Sequence, residues 1–332
     1  LGQWEEQLSG EEFDSFLTAD ANLDFQITEL ISKSGFSRVY LAHSKTEPKQ
    51  RYAIKIFKQN RFLEFNETEI AILNELKAYP YSVPFYGSGT IQNSRYLKFV
   101  YIDGNDLRKS IRTTAVFDEK SALKVFTDIL DFLKFSQSRE ILHLDIKPEN
   151  ILYYQGRYTL IDWGLAKQSL KVPTLYRKGD PIYLAPEMFR GCREFASELY
   201  ALGCVLYFIL VGKHIYHLKY SDSLAAKIYA HHYALPDIPK RLSNKIQFLL
   251  HRLLDKNPQT RADLAEIEQI IQSEHFNLNE YTGKQQFIST ELQNDAMLYE
   301  RLASDGVAYA QVELGLLFEK GRDLPKDQTQ AN

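Results

Sequence analysis

Two cysteines, Cys192 and Cys204, are the only thiols in 332 residues. That scarcity excludes a disulfide framework and a cysteine-rich zinc site, and it fits a reducing compartment. Charge of one sign is missing as well: 40 basic and 43 acidic side chains leave a formal net charge of −3. Without a basic surplus the chain has no signature of a dedicated nucleic-acid binder or of a polybasic membrane clamp. The densest apolar run, Leu199 to Val211, falls short of the ~18 residues that span a bilayer. No basic start followed by an apolar stretch and a small-residue cleavage site opens the sequence. It begins at Leu1 rather than methionine, which reads as a piece of a longer protein. What is present is ordinary globular material, 44% hydrophobic and 25% charged, and this excludes a largely disordered chain. The length accommodates roughly two domains. These features point to a cytoplasmic protein, an enzyme with an appendage.

Residues 1–22 are polar and acidic, with a short helix expected over Glu11–Leu17. From Phe25 to Phe99 strand signals dominate. Phe25–Thr28 alternates, Arg38–Leu41 follows a Ser/Gly turn, and Tyr52–Phe57 is rich in strand formers. One helix is expected among them over Asn66–Lys77, with Ile70, Leu73 and Leu76 on a face. Past Gly104 the period becomes helical. Leu123, Phe126, Ile129, Leu130 and Leu133 predict an amphipathic helix over Lys120–Gln137, and Leu199–Leu210, apolar all round, predicts a helix buried in a core. A small β-rich half and a larger helical half are therefore expected. The polar stretch Ile270–Ser289 reads as a connector, followed by a further helix with Ala310, Leu314, Leu317 and Phe318 on one face and Gly321 at its C-terminal cap.

Chemistry concentrates in His143-Leu144-Asp145-Ile146-Lys147-Pro148-Glu149-Asn150, followed twelve residues later by Asp162-Trp163-Gly164. Phosphoryl transfer needs a carboxylate to orient a hydroxyl, oxygen ligands for a metal, and a cation on the transferred group. Asp145 can be the first, Asn150 and Asp162 the second, Lys147 the third. These strings resemble the catalytic loop H-R-D-x-K-P-E-N and the metal-binding D-F-G of the protein kinase family. Lys147 two residues after Asp145 is similar to the serine/threonine branch, since tyrosine kinases place arginine near this point. The resemblance extends through Tyr52-Ala53-Ile54-Lys55, which is similar to V-A-I-K and makes Lys55 the holder of the α- and β-phosphates. Glu69 is its implied partner, ahead of Glu67 and Glu75. Ala185-Pro186-Glu187 resembles A-P-E, and Asp255–Arg261 resembles the late D-P-x-x-R, which implies a structural pair between Arg261 and Glu187.

The same resemblance implies a nucleotide site. Phe99 stands at the gatekeeper position, and the backbone of Val100 and Ile102 would meet the adenine edge. Val39, Ala53 and Leu152 would enclose the base, and Asp106 would face the ribose hydroxyls. Ser32, Ser34 and Gly35 lie in the loop over the phosphates. The implied cofactors are ATP and Mg²⁺, with Mn²⁺ as a substitute, and the implied acceptor is a protein serine or threonine.

The chain departs from the family pattern at several places. Ser32, Ser34 and Ser37 occupy the three glycine positions of G-x-G-x-x-G. Serine disfavours positive φ, so a stiffer loop and weaker nucleotide affinity are expected, although the hydroxyls could donate to phosphate oxygens. Leu144 replaces the arginine that grips a phosphorylated activation loop, so activity is expected without phosphorylation of Thr174 or Tyr176. Asp180 replaces the threonine of G-T-P and is expected to repel Asp145 or compete for Lys147. Glu198 replaces the aspartate that anchors the catalytic loop, and Trp163 replaces phenylalanine.

Near the C-terminus, Leu302–Gly306, Ala310–Gly315 and Gly321–Asp327 resemble a Sel1-like repeat, a helix-turn-helix unit of roughly 36 residues. Such repeats stack and bind proteins, so a protein partner is implied. A single repeat cannot bury its own face, so either more repeats follow or this piece packs on the kinase. A kinase joined to such repeats is more familiar in bacterial proteins, some of them delivered into host cells. The expected organisation is α+β: an N-terminal extension over 1–22, a two-lobed kinase-like domain over 23–272 (β-rich N-lobe 23–102, helical C-lobe 103–272), a connector over 273–300 and the α-helical Sel1-like segment over 301–332. Two other functions compete with an active kinase. One is a pseudokinase scaffold, favoured by the serine-substituted loop and Asp180 and opposed by retention of Lys55, Glu69, Asp145, Asn150 and Asp162 together. The other is a kinase fold that acts on a small molecule or transfers AMP.

Overall fold

The computed structural model describes residues 22–35, 37–57, 63–91, 94–168, 180–216, 223–273 and 295–320. The helix expected over Glu11–Leu17, the residues Thr174 and Tyr176, and the cap at Gly321 lie outside the described residues. The chain forms two compact units, one from 1–104 with 154–164 and the other from 105–153 with 165–332.

Among its described residues the first unit is built on an antiparallel five-stranded sheet and one α-helix. Its strands are β1 (Phe25–Lys33), β2 (Ser37–Ser44), β3 (Arg51–Phe57), β4 (Phe85–Ile91) and β5 (Ser94–Val100), in the order β1-β2-β3-β5-β4. Helix α1 (Leu63–Leu76) lies between β3 and β4 in the chain. Side chains alternate faces along a strand. Ile54 and Ile56 of β3 therefore join Phe25, Ile27, Tyr40, Ala42 and Ile91 in one apolar cluster, each large member contributing roughly 1.5–3 kcal/mol by leaving water. Ala53 and Lys55 take the opposite face. Register puts Leu41 and Phe99 across from Ala53, and Val39 and Leu97 across from Lys55, so Val39, Ala53, Lys55 and Phe99 share that face. The stretch 154–164 belongs to this unit although the sequence placed it inside a continuous C-lobe. Thr159 Oγ1 donates to Tyr81 O (2.8 Å), and the Arg157 guanidinium lies 4.7 Å from the Tyr81 ring.

The second unit is helical. Its first helices are α2 (Leu107–Thr113), α3 (Glu119–Gln137), α4 (Phe195–Val211), α5 (Leu224–Tyr233), α6 (Asn244–Leu253) and α7 (Leu264–Gln272). Short 3-10 turns occupy Pro148–Asn150 and Pro186–Arg190. Asp118 begins α3 by accepting Ser121 N–H (2.9 Å), the side-chain cap that satisfies an orphan donor of the first turn. The buried face of α3 runs through Ala122, Val125, Phe126, Ile129, Leu130 and Leu133. Helix α4 is buried on all sides from Ser197 to Leu210, as its unbroken apolarity requires. Ser223, Ser243 and Asp263 cap α5, α6 and α7 in the same way.

Two expectations at the C-terminal end are corrected. Helix α7 continues to Gln272 because Ile267 and Ile270 are both on its buried face, so the connector does not begin at Ile270. Helix α8 begins at Asp295, inside the stretch assigned to the connector, and is followed by α9 (Ala308–Lys320). Ala296, Tyr299 and Leu302 recur at helical spacing and are buried. The two helices do not stand alone. Leu298, Tyr299, Leu302, Val307 and Ala310 form one core with Phe189, Ala225, Ala226 and Ile228, which packs them on α5 and on the Pro186–Arg190 turn. Among the described residues no helix is long and apolar enough to cross a membrane.

Candidate active site

In the first unit β3 delivers Lys55, α1 delivers Glu69, and the stretch after Leu160 delivers Asp162. Lys55 Nζ lies 2.7 Å from Glu69 Oε1 and 2.6 Å from Asp162 Oδ1. Lys55 and Glu69 are buried, while the Asp162 side chain is 47% exposed. Burial opposes the charge on Lys55, but the Asp162 and Glu69 carboxylates outweigh it and raise the ammonium above its ordinary range. Burial also pushes the Glu69 carboxyl up, against the pull of Lys55. Asp162 has φ +63°, a conformation that a non-glycine residue adopts only under local constraint. Gly164 explains how the three groups fit. A Cβ there would stand 3.1 Å from Lys55 Nζ and 3.3 Å from both Asp162 Oδ1 and Glu69 Oε2. The sequence pattern alone did not single out this glycine as a site residue.

In the second unit the loop from His143 to Asn150 folds on itself. Lys147 Nζ is 2.8 Å from Asp145 Oδ2. The Asn150 amide donates to Asp145 O (2.8 Å) and to Asp145 Oδ2 (2.9 Å), and Asp145 N–H donates to His143 Nδ1 (3.2 Å). Glu198 fastens the loop from α4: its Oε1 accepts His143 N–H (2.6 Å) and Leu144 N–H (3.1 Å). The longer side chain thus makes the anchoring contacts expected of aspartate. Burial raises its carboxyl to about 7, against the two N–H groups that favour the charged form. Arg261 grips Glu187 through both carboxylate oxygens (2.6 and 2.9 Å) and also donates to Ala196 O, the bidentate geometry expected of a structural pair.

Asp180 does not disrupt the loop: its Oδ1 accepts Ile182 N–H (3.1 Å), while Lys147 keeps its pair with Asp145. In the serine-rich loop Ser32, Ser34, Gly35 and Ser37 are all outside the positive-φ region. Ser34 closes that loop on itself. Its N–H donates to Ser37 O (2.8 Å), and its Oγ accepts Ser37 N–H (3.0 Å). Ser32, Ser34 and Gly35 are exposed. Asp106 is the N-cap of α2, its Oδ1 accepting Lys109 N–H (2.8 Å). Val100 commits its N–H to Pro84 O (3.0 Å), so a hinge contact from this residue has to come through its carbonyl. Ile102 and Leu152 are both partly buried.

The oxygen donors suit a hard cation. In the first unit the Asp162 side chain is half exposed, and in the second the Asn150 amide nitrogen is turned to Asp145, which leaves its carbonyl oxygen as a donor of the same hard type. Among the described residues no three His, Cys, Asp or Glu side chains cluster, and Mg²⁺ at a nucleotide needs only one or two protein oxygen ligands beside the phosphates.

A lysine held by two acids and a loop in which an aspartate meets a lysine and an asparagine define a protein kinase. The protein kinase domain family matches residues 25–276, and the chain belongs to that family. Several of its matched relatives are serine/threonine kinases by name. They include the serine/threonine-protein kinase RUNKEL of Arabidopsis thaliana, 30% identical over 249 residues, covering 73% of this chain and 18% of that protein. The serine/threonine-protein kinase ULK3 of Xenopus laevis is 32% identical over 254 residues, 73% of this chain and 54% of that protein. The CBL-interacting serine/threonine-protein kinase 8 of Arabidopsis thaliana is 26% identical over 333 residues, 92% of this chain and 74% of that protein. The chain thus spans about a fifth of RUNKEL and about half of ULK3.

Proposed function

We propose that this chain is an active serine/threonine protein kinase that transfers the γ-phosphate of ATP to protein hydroxyls, without requiring a phosphorylated activation segment. The observation that carries the reading is the intact charge geometry of the catalytic loop, in which Asp145 meets both Lys147 and Asn150. In this reading Asp145 accepts the hydrogen bond of the incoming hydroxyl and takes its proton, and Lys147 balances charge on the transferred group. Lys55, held by Glu69, fixes the α- and β-phosphates. Mg²⁺, when bound, neutralises phosphate charge, and Asn150 and Asp162 are the residues that would hold it. By the family resemblance Val39, Ala53 and Leu152 would enclose the base, the Val100 carbonyl and the Ile102 backbone would meet its edge, and Asp106, which caps α2 with one oxygen, would face the ribose. Ser32, Ser34 and Gly35 cover the phosphates.

The activation reading rests on Leu144, whose apolar side chain has no charge to offer a phosphate. The α8–α9 pair reads as a Sel1-like unit for a protein partner. The test is incubation with labelled ATP and Mg²⁺, following autophosphorylation and transfer to a generic protein, with Asp145→Ala as control. Transfer from γ-label well above the control is expected. ATP binding without transfer would favour the scaffold, and incorporation of α-label would favour AMP transfer.

A further inference from the structure

Leu144 raises a physical question: what ties the catalytic loop to the stretch before Pro186 when the usual arginine is missing? We propose that Arg108 of α2 is a positioning residue that makes this tie with its own guanidinium and no phosphate. The proposal rests on the kinase reading above.

Helix α2 is fixed before it presents Arg108. Asp106 caps its first turn, and Leu107 is buried. The Arg108 side chain, only 18% exposed, forms an ion pair through Nε with Glu149. Glu149 is the middle residue of the Pro148–Asn150 turn. A constraint on that turn is a constraint on the amide that holds Asp145, because Asn150 N–H closes the turn on Lys147 O (3.0 Å) and its side chain reaches Asp145. On its other edge Arg108 Nη2 donates to Tyr183 OH (3.2 Å). Tyr183 is 3% exposed and lies between Asp180 and Ala185. Burial raises its phenol above the ordinary range, more than Arg108 lowers it, so the group stays neutral.

Aromatic contacts close the arrangement into a ring. The Arg108 guanidinium lies 5.3 Å from the Phe208 ring centre. His214 stacks on Phe208 at 5.4 Å and 25°, and Tyr183 meets His214 edge-on at 5.6 Å and 75°. Four side chains from α2, α4, the stretch after α4 and the stretch before Pro186 thus brace one another. One guanidinium carries its charge to the Glu149 carboxylate and an N–H to the Tyr183 phenol at once, whereas a lysine at this position is a single point charge. Leu144 cannot share this role, being apolar and nearly buried, with φ +65°.

The test compares wild type, Arg108→Met, Tyr183→Phe, the double variant and Arg108→Lys, each dephosphorylated before assay with ATP, Mg²⁺ and a protein substrate. Arg108→Met is expected to lower kcat about tenfold while KM for ATP stays within about twofold, the split of a loss felt in the transfer step. Tyr183→Phe is expected to cost about threefold, and the double variant to fall no further than Arg108→Met, since both remove one shared contact. Arg108→Lys should recover only part of the loss. An unchanged kcat in Arg108→Met, or losses that multiply in the double variant, overturns the proposal. Amide hydrogen exchange gives a readout independent of turnover. Faster exchange in Arg108→Met at both the Pro148–Asn150 turn and the Tyr183 stretch is expected, and a change confined to α2 overturns the tie. That measurement decides the matter even if wild type transfers no more phosphate than Asp145→Ala, a result that would sink the kinase reading by itself.

Discussion

Glu198 is fully enclosed in α4, with two N–H groups on Oε1 and, among the described residues, no hydrogen-bond partner for Oε2. Its carboxyl sits at about 7 in the folded chain against an ordinary 4.5, because burial disfavours the charge. The folded state therefore holds a proton that the unfolded chain has released between those pH values, and stability falls as pH rises across that window. Glu198→Gln keeps an oxygen for His143 and Leu144 and does not titrate. Its stability relative to wild type should climb from pH 5 to pH 8 by up to about 3 kcal/mol, read from urea melts; a difference flat in pH would sink the assignment. Gly164 makes a second residue-scale prediction. A methyl at 3.1 Å from Lys55 Nζ has to displace the ammonium or its acids. Gly164→Ala should lower kcat/KM about tenfold, equal to 1.4 kcal/mol in the barrier, with an unchanged circular dichroism spectrum. Unchanged kinetics would show that the cluster yields freely.

Among the elements, the loop between β1 and β2 shows how a serine substitution acts through its hydroxyl as well as its Cβ. Serine at glycine positions suggested a stiffer loop; its described residues stay outside positive φ, and Ser34 bonds to Ser37. Ser34→Gly removes that link and the Cβ together, so the ATP Kd should drop about threefold while stability falls by about 1 kcal/mol; calorimetry that finds weaker binding would contradict the account. Elements with strong periodicity were legible. The helix over 120–137 and strands β2 and β3 follow directly from apolar spacing and strand-forming residues; Lys55 lies beside Glu69 and Asp162, and Asp145 beside Lys147 and Asn150. Strand β4 was not legible, because Gly87 and Gly89 erase its alternation. A Cβ at Gly89 would lie 2.5 Å from the Tyr96 hydroxyl, so the ring across it, invisible in sequence, is what demands glycine. Arg108 was missed for a similar reason: a lone arginine on a short polar helix has no pattern. The only signal that could have pointed to it was the unfilled role at Leu144.

At the scale of the whole molecule, the question is whether α8 and α9 are an appendage or part of the second unit. Sequence left both open, since one helical pair cannot bury its own apolar face. Leu302 and Val307 are fully buried, Phe189 of the Pro186–Arg190 turn lies in the same core, and Tyr309 meets the Phe189 ring edge-on at 6.4 Å. Tyr233 of α5 donates its hydroxyl to Asp305, between the two helices. A pair held this way should melt with the unit that it covers. Leu302→Ala in the full chain removes a side chain from the centre of that core and should cost about 2–5 kcal/mol. The cost should appear as a shift of one cooperative transition of the second unit, detected together by near- and far-ultraviolet circular dichroism. An independent appendage behaves differently: its own transition moves to lower denaturant while the main one stays in place. Two separated transitions in the variant would therefore show that the core shared by Leu302 and Phe189 does not bind the helical pair to the kinase unit, and that any partner recruited through α8 and α9 acts on a separately folding module.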